Sequence, residues 1–265
     1  MELEQAVKLA LNGDRDALEQ VVKGIQGWVY NLALSMLWHP DDAQDATQEI
    51  LIKVITRLSM FEGKSVFKTW VYRVASNELL NVKAKRIRQR VNFEAFSHKL
   101  AEGLNYDRAH QSDRVEQKLL VTEAKVGCSL AMLQCLDRDH RLTYLLGEIL
   151  EFNSQEGSYI LGIAPATYRK RLSRVRSKVR AFVHHHCGLV NASNPCRCSK
   201  QVASNVEAGI IRPKSLLFAQ EDAQALIDSV EEVRNEVWLF QTNMEYEAPE
   251  MLLEGVRRII FQARF

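Results

Sequence analysis

Two stretches of this chain carry residue types suited to chemistry on a polyanion. From Lys64 to Arg90 there are eight basic residues and one acidic residue, Glu78, and Phe67, Trp70 and Tyr72 are set among them. Cations neutralise phosphates and aromatic ring faces stack on unpaired bases, so this composition suits single-stranded nucleic acid. The second stretch, Thr167 to Arg180, holds Arg169, Lys170, Arg171, Arg174, Arg176, Lys178 and Arg180 and no acid. A solvated helix face normally mixes charge signs, and this one does not. Such a helix suits duplex nucleic acid, its first residues reaching base edges and its later cations gripping the backbone.

A third group has the residue types of a metal site. His184, His185, His186 and Cys187 precede Cys196 and Cys198. Cys, eight residues, then Cys-x-Cys, with His186 adjacent, could hold one zinc ion as a Cys₃His set. The spacing is not that of paired Cys-x₂-Cys knuckles, and the other reading is a loop whose cysteines are small buried residues. A metal-dependent hydrolase built on this segment would need a general base, yet no carboxylate lies between Glu156 and Glu207. Nothing else in the sequence requires a cofactor.

The elements that position these residues are helices. Glycine and proline are scarce, at 12 and 5 of 265 residues, and no alternating strand pattern stands out, so the expected class is all-α. The net charge of +2 hides segregation: residues 157–204 hold nine basic residues and no acid, whereas residues 205–265 hold six basic and eleven acidic. A basic block between negative ones implies a local polyanion-binding surface. Met1-Glu2-Leu3-Glu4 is too polar for a signal peptide, and no run approaches the roughly 18 apolar residues of a membrane span. The expected location is cytoplasmic, with the five cysteines reduced.

Residues 1–90 read as one helical domain. Gly13-Asp14 gives a helix end and a new N-cap, and Ala43, Ala46, Ile50, Val54 and Leu58 line one face of the helix after Pro40. Asp41, Asp42, Asp45, Gln48, Glu49 and Lys53 then fall on its outer face. Residues 91–125 lose this regularity and read as a linker. Residues 126–186 read as a second helical domain ending in a helix-turn-helix. Asn153 with Glu156 has capping-box spacing, Gly162 permits the turn, and Pro165 opens the next helix. There Tyr168, Leu172, Val175, Val179 and Phe182 face the core, opposite Thr167, Lys170, Arg171, Arg174 and Lys178. Gly157 should weaken the first helix by about 0.5–1 kcal/mol relative to alanine. Residues 187–204 form the Cys-containing segment, and 205–265 an acidic helical extension with helices over Leu226–Phe240 and from Pro249.

The run DDAQDATQEILIKV…F…FKTWVYRVASN closely resembles the promoter-opening region of sigma-70-family RNA polymerase sigma factors of the extracytoplasmic-function type, whose pattern is DAEDATQEVFLKV…F…F.TWLYRIA.N. The segment NSQEGSYILGIAPATYRKRLSRVRSK resembles the same family's S..EIA..LGIP.GTVKSRL.RAR. It departs at Gly157-Ser158, at Ala164-Pro165-Ala166 and at Tyr168, which puts promoter specificity by analogy in doubt. Together the resemblance covers roughly residues 1–184. It implies a non-enzymatic factor with two helical domains, region 2 and region 4, joined by a linker. Asp41, Asp42, Asp45, Gln48, Glu49 and Lys53 would dock on core RNA polymerase. Ser65, Phe67, Thr69, Trp70, Arg73 and Asn77 would capture the melted −10 element of promoter DNA. Thr167, Arg169, Lys170, Arg171, Arg174 and Lys178 would read the −35 element as duplex. The competing class is a two-domain helix-turn-helix regulator that never touches polymerase, which leaves the acidic Asp41–Lys53 face without a task. Tails similar to CGLVN..NPCRC occur on some sigma factors of this type. Regulation would come from an anti-sigma partner or from the chain's own extension folding back, with Glu231, Glu232 and Glu236 available to meet basic residues.

Overall fold

The computed structural model describes residues 2–82, 92–106, 114–219, 237–241, 246, 248–249 and 251–262. Every regular element among them is helical, as the composition leads one to expect. The chain divides into two compact units: residues 1–87, 145–171 and 244–265 form the first, and residues 88–144 and 172–243 the second.

The first unit is built on α1 (Leu3–Leu11), α2 (Arg15–Leu37), α3 (Pro40–Thr56) and α4 (Phe67–Asn81). Its punctuation follows the sequence. Gly13 takes a left-handed φ of 91°, and the Asp14 carboxylate accepts the Ala17 N–H at 2.9 Å, which satisfies one unpaired donor at the start of α2. At the next corner His39 Nδ1 accepts the Asp41 N–H at 3.2 Å, and Pro40 needs no partner in the first turn of α3. The predicted stripe Ala43, Ala46, Ile50, Val54 and Leu58 is buried. The buried arc is wider than that stripe, because Thr47, Leu51 and Ile55 are enclosed as well.

The same unit takes in the helix-turn-helix region through Arg171. Residues Leu145–Ile149 form a single π-turn, and the Phe152 N–H reaches the Leu146 carbonyl at 2.9 Å. The capping box of α8 (Ser154–Leu161) is complete: Asn153 accepts the Gln155 and Glu156 N–H groups while Glu156 accepts the Asn153 N–H. Gly162 ends α8 at φ 64°, a conformation that costs glycine nothing, and α9 (Pro165–His186) follows. α8 packs against α4, with Tyr72 and Phe152 edge to face at 5.0 Å. The segment 126–186, expected to form one domain, is therefore divided between the units, before Leu145 and again within α9.

In the second unit, α5 (Phe93–Leu104) and α6 (Arg114–Gln134) occupy most of the stretch expected to be a linker. α6 packs against α10 (Cys198–Glu207), where Leu120, Ala124, Val202 and Ile211 make an apolar cluster. After α6 comes α7 (Arg138–Tyr144). Arg141 is buried and gives its guanidinium to the carbonyls of Leu133 (2.8 Å), Gln134 (3.3 Å) and Leu136 (2.9 Å), closing the open end of α6. Burial lowers its pKa to about 10, so it remains a cation at neutral pH. The Glu123 carboxylate is buried and accepts the N–H groups of Leu217, Phe218 and Ala219 at 2.8–2.9 Å, which pins residues 217–219 to α6.

The extension at 205–265 is not one appendage. Residues up to 243 belong to the second unit, including a short helix α11 (Trp238–Gln241), while α12 (Met251–Gln262) belongs to the first. Most of the helix expected over Leu226–Phe240 lies outside the described residues, as do Glu231, Glu232 and Glu236.

Candidate nucleic-acid interface

α3 presents an acidic face, though a narrower one than its sequence pattern gives. Asp41, Asp45 and Glu49 are exposed and Gln48 is half-buried. Asp42 is not on the outer face: it is 5% exposed, buried in the first turn of α3, where a carboxylate suits the positive end of the helix dipole. Lys53 is half-buried and bonded to Glu78 of α4. That ion pair accounts for the lone acid in the basic run, since Glu78 serves α3 and not solubility.

The aromatic run is more enclosed than expected. Phe67 and Thr69 are buried, Ser65, Trp70 and Arg73 are half-buried, and Asn77 is exposed. Phe61, Phe67 and Trp70 form a mutual cluster with centroids 5.3–5.8 Å apart. Buried Phe67 and half-buried Phe61 pack against Trp70 as stacked and tilted ring pairs, which holds the indole in place. Tyr72 is also core, and burial raises its phenol above the ordinary range. Arg73 lies 4.4 Å from the centre of the Tyr159 ring of α8, a cation–π contact that sequence reading missed. Lys68 is exposed, its amine 5.4 Å over the Trp28 ring and 5.9 Å over that of Phe152. The basic residues Lys83, Lys85, Arg86, Arg88 and Arg90 lie outside the described residues.

The cationic side of α9 stands as the periodicity predicts. Thr167, Arg169, Lys170, Arg174 and Lys178 are exposed and Arg171 is half-buried, while Tyr168, Val175, Val179 and Phe182 are buried on the opposite side. Lys178 rests over the Phe93 ring at 5.3 Å, which holds its stem against the helix while the charge stays at the surface. Tyr168 explains a departure noted above. Its ring fills the space beside Gly157, where a Cβ would overlap it. Burial pushes the Tyr168 phenol up to about 12.

The CGLVNASNPCRC segment folds on itself at the end of α9. Asn191 and Asn194 donate to the His184 carbonyl at 3.0 and 2.9 Å, capping the helix. Arg197 donates to the carbonyls of Asn194, Cys196 and Ala192 at 2.6–3.1 Å. Gly188 permits this, since a Cβ there would overlap the guanidinium. The effect is to bring Cys187, Cys196 and Cys198 around one apolar cavity of about 30 Å³. Cys128, expected to be simple core, lines the same cavity, as do Phe182 and His186. Burial and the neighbouring thiols raise the Cys198 thiol to about 12. The set expected to hold zinc, His186 with Cys187, Cys196 and Cys198, lines this cavity. The His186 ring lies against Phe182 at 4.6 Å, and among the described residues no three His, Cys, Asp or Glu side chains are grouped to hold a metal ion.

Comparison with known proteins bears on these surfaces. Residues 21–89 match the family Sigma-70 region 2, which spans most of α2, all of α3 and α4, and the basic run up to Gln89. The chain is 27% identical over 178 residues to the ECF RNA polymerase sigma factor SigE of Mycolicibacterium smegmatis, covering 66% of this chain and 65% of that relative. It is 28% identical over 188 residues to the ECF RNA polymerase sigma factor SigW of Bacillus subtilis, covering 68% of this chain and 96% of that one. The structure of CnrH in complex with the cytosolic domain of CnrY aligns over 68% of this chain with a TM-score of 0.45 and 19% identity. Shared residues and matched region lead to one conclusion: residues 21–89 match Sigma-70 region 2, and about two thirds of the chain is similar to ECF RNA polymerase sigma factors.

Proposed function

We propose that this chain binds core RNA polymerase in the cytoplasm and directs it to promoters, catalysing no reaction itself. The observation that carries the reading is the separation of charge between two helices. α3 exposes Asp41, Asp45 and Glu49, whereas the exposed side of α9 carries cations with no acid from Thr167 to Lys178. A regulator that only gripped DNA would gain nothing from the acidic face, which repels phosphates.

In this account the α3 face meets polymerase, α9 reads the −35 element through the major groove, and α4 handles the −10 element. Arg171 and Arg174 face base edges, and Arg169, Lys170 and Lys178 neutralise phosphates. On α4 the burial of Phe67 and Thr69 supports a positioning task for them. Trp70, Arg73 and Asn77 remain to touch extruded bases, whose unstacking cost the Trp70 ring offsets in part. Arg73 is engaged with Tyr159, so its use on DNA entails breaking that contact.

The test is reconstituted transcription. Purified core polymerase with this chain should start RNA at defined positions on fragments of the source genome, and core alone should not. Duplex binding by the chain without any polymerase-dependent transcript would favour the helix-turn-helix regulator.

A further inference from the structure

The last described helix supplies a relationship that the sequence does not show. α12 packs against both α2 and α3. Leu252, Val256 and Ile260, spaced four apart on one helical face, are buried there. Ahead of the helix, Asn31 of α2 donates to the Tyr246 carbonyl at 3.0 Å and accepts the Tyr246 N–H at 3.2 Å. Arg257 gives two hydrogen bonds to one oxygen of Glu19, at 2.7 and 3.0 Å. Gly255 lies so close to Gln48 that a side chain at 255 would overlap the Gln48 amide.

Gln48 is a member of the face assigned above to polymerase, next to Glu49 and one turn beyond Asp45. We infer that α2 and α3 form a helix-receiving surface with two alternative occupants, the chain's own α12 and core polymerase, so that the tail competes with polymerase for the protein. The inference rests on the proposed function. The sign of the charge reverses the expectation for this tail. Although residues 205–265 are acidic as a whole, α12 itself holds two arginines and one glutamate. A basic apolar helix therefore lies beside an acidic face, and its burial, more than the exposed ion pair, holds it there.

The test uses the full chain, fluorescently labelled and titrated with purified core polymerase. If α12 occupies the surface most of the time, Val256→Asp/Ile260→Asp should bind core at least about tenfold more tightly than the wild type, because the competent fraction rises. Hydrogen exchange over residues 44–52 reports independently whether α12 has left. Arg257→Glu should tighten binding about two- to fivefold, and adding Glu19→Arg should cancel that gain, since an exposed pair is worth no more than this. Unchanged or weaker binding by the double aspartate variant, with α12 shown to be released, overturns the competition and leaves the sigma reading intact. Absence of binding by every form, wild type included, overturns the sigma reading itself.

Discussion

The Tyr168 ring occupies the volume that a side chain at Gly157 would need. Both positions depart from the pattern of the family, and the structure makes them one departure. A large ring on α9 is admitted because α8 has lost a side chain opposite it, and the glycine that weakens α8 is compensated by the buried ring.

This predicts strong coupling between the two positions. Gly157→Ala should lower stability, because overpacking costs about 1–3 kcal/mol and outweighs the gain of up to about 1 kcal/mol in helix propensity. Tyr168→Val alone should cost about 2–4 kcal/mol through the cavity it leaves. The double variant should recover much of the loss, which urea unfolding of the four proteins measures; additive losses would show that the residues do not share space.

The Tyr168 hydroxyl is buried without a hydrogen-bond partner among the described residues. Tyr168→Phe should therefore be neutral or stabilising, by up to about 2 kcal/mol. It should also change the alkaline limb. With the phenol raised from 10 to about 12 in the folded state, the neutral form stabilises the fold fully below pH 10. That contribution is lost as pH rises from 10 to 12. Unfolding free energies across this window should fall less steeply for Tyr168→Phe than for the wild type; equal slopes would contradict the assignment.

Glu123 bears on the second unit. Its carboxylate holds three backbone N–H groups, so Glu123→Ala should cost about 3 kcal/mol or more, with Glu123→Gln losing less. Amide exchange at residues 217–219 is the local readout, and unchanged protection there in Glu123→Ala would refute the role.

On α9, Arg171→Ala should cost about 1–3 kcal/mol in duplex binding and relax sequence preference at one position. Lys178→Ala should weaken all sequences alike and reduce the salt dependence by about one ion. Uniform, sequence-independent losses from both would mean that α9 grips phosphates without reading bases.

Local signals in this chain were legible wherever neighbours in sequence decide the outcome. The Asp14 cap, the Asn153–Glu156 capping box, the Gly162 turn and the two-sided periodicity of α9 are each settled within one or two helical turns, and each stands where the pattern put it. What escaped depends on distant partners. Exposure of Phe67 and Thr69 could not be judged without knowing what covers α4, and Arg73 could not be matched to Tyr159, which is 86 residues away. Asp42 looked like a surface acid because of its charge, yet it lies one turn before Ala46 and two before Ile50 on the buried face of α3. The tail misled through averaging, since its net negative charge concealed a basic terminal helix.

The central claim is that the acidic face of α3 binds core RNA polymerase. The direct measurement is equilibrium binding of purified core to the wild type and to Asp45→Lys/Glu49→Lys, with circular dichroism showing equal helicity. Both residues are exposed, so their reversal should leave the fold intact while placing like charge against the partner, weakening binding by about two orders of magnitude or more. Wild-type affinity in the reversed variant would contradict the account.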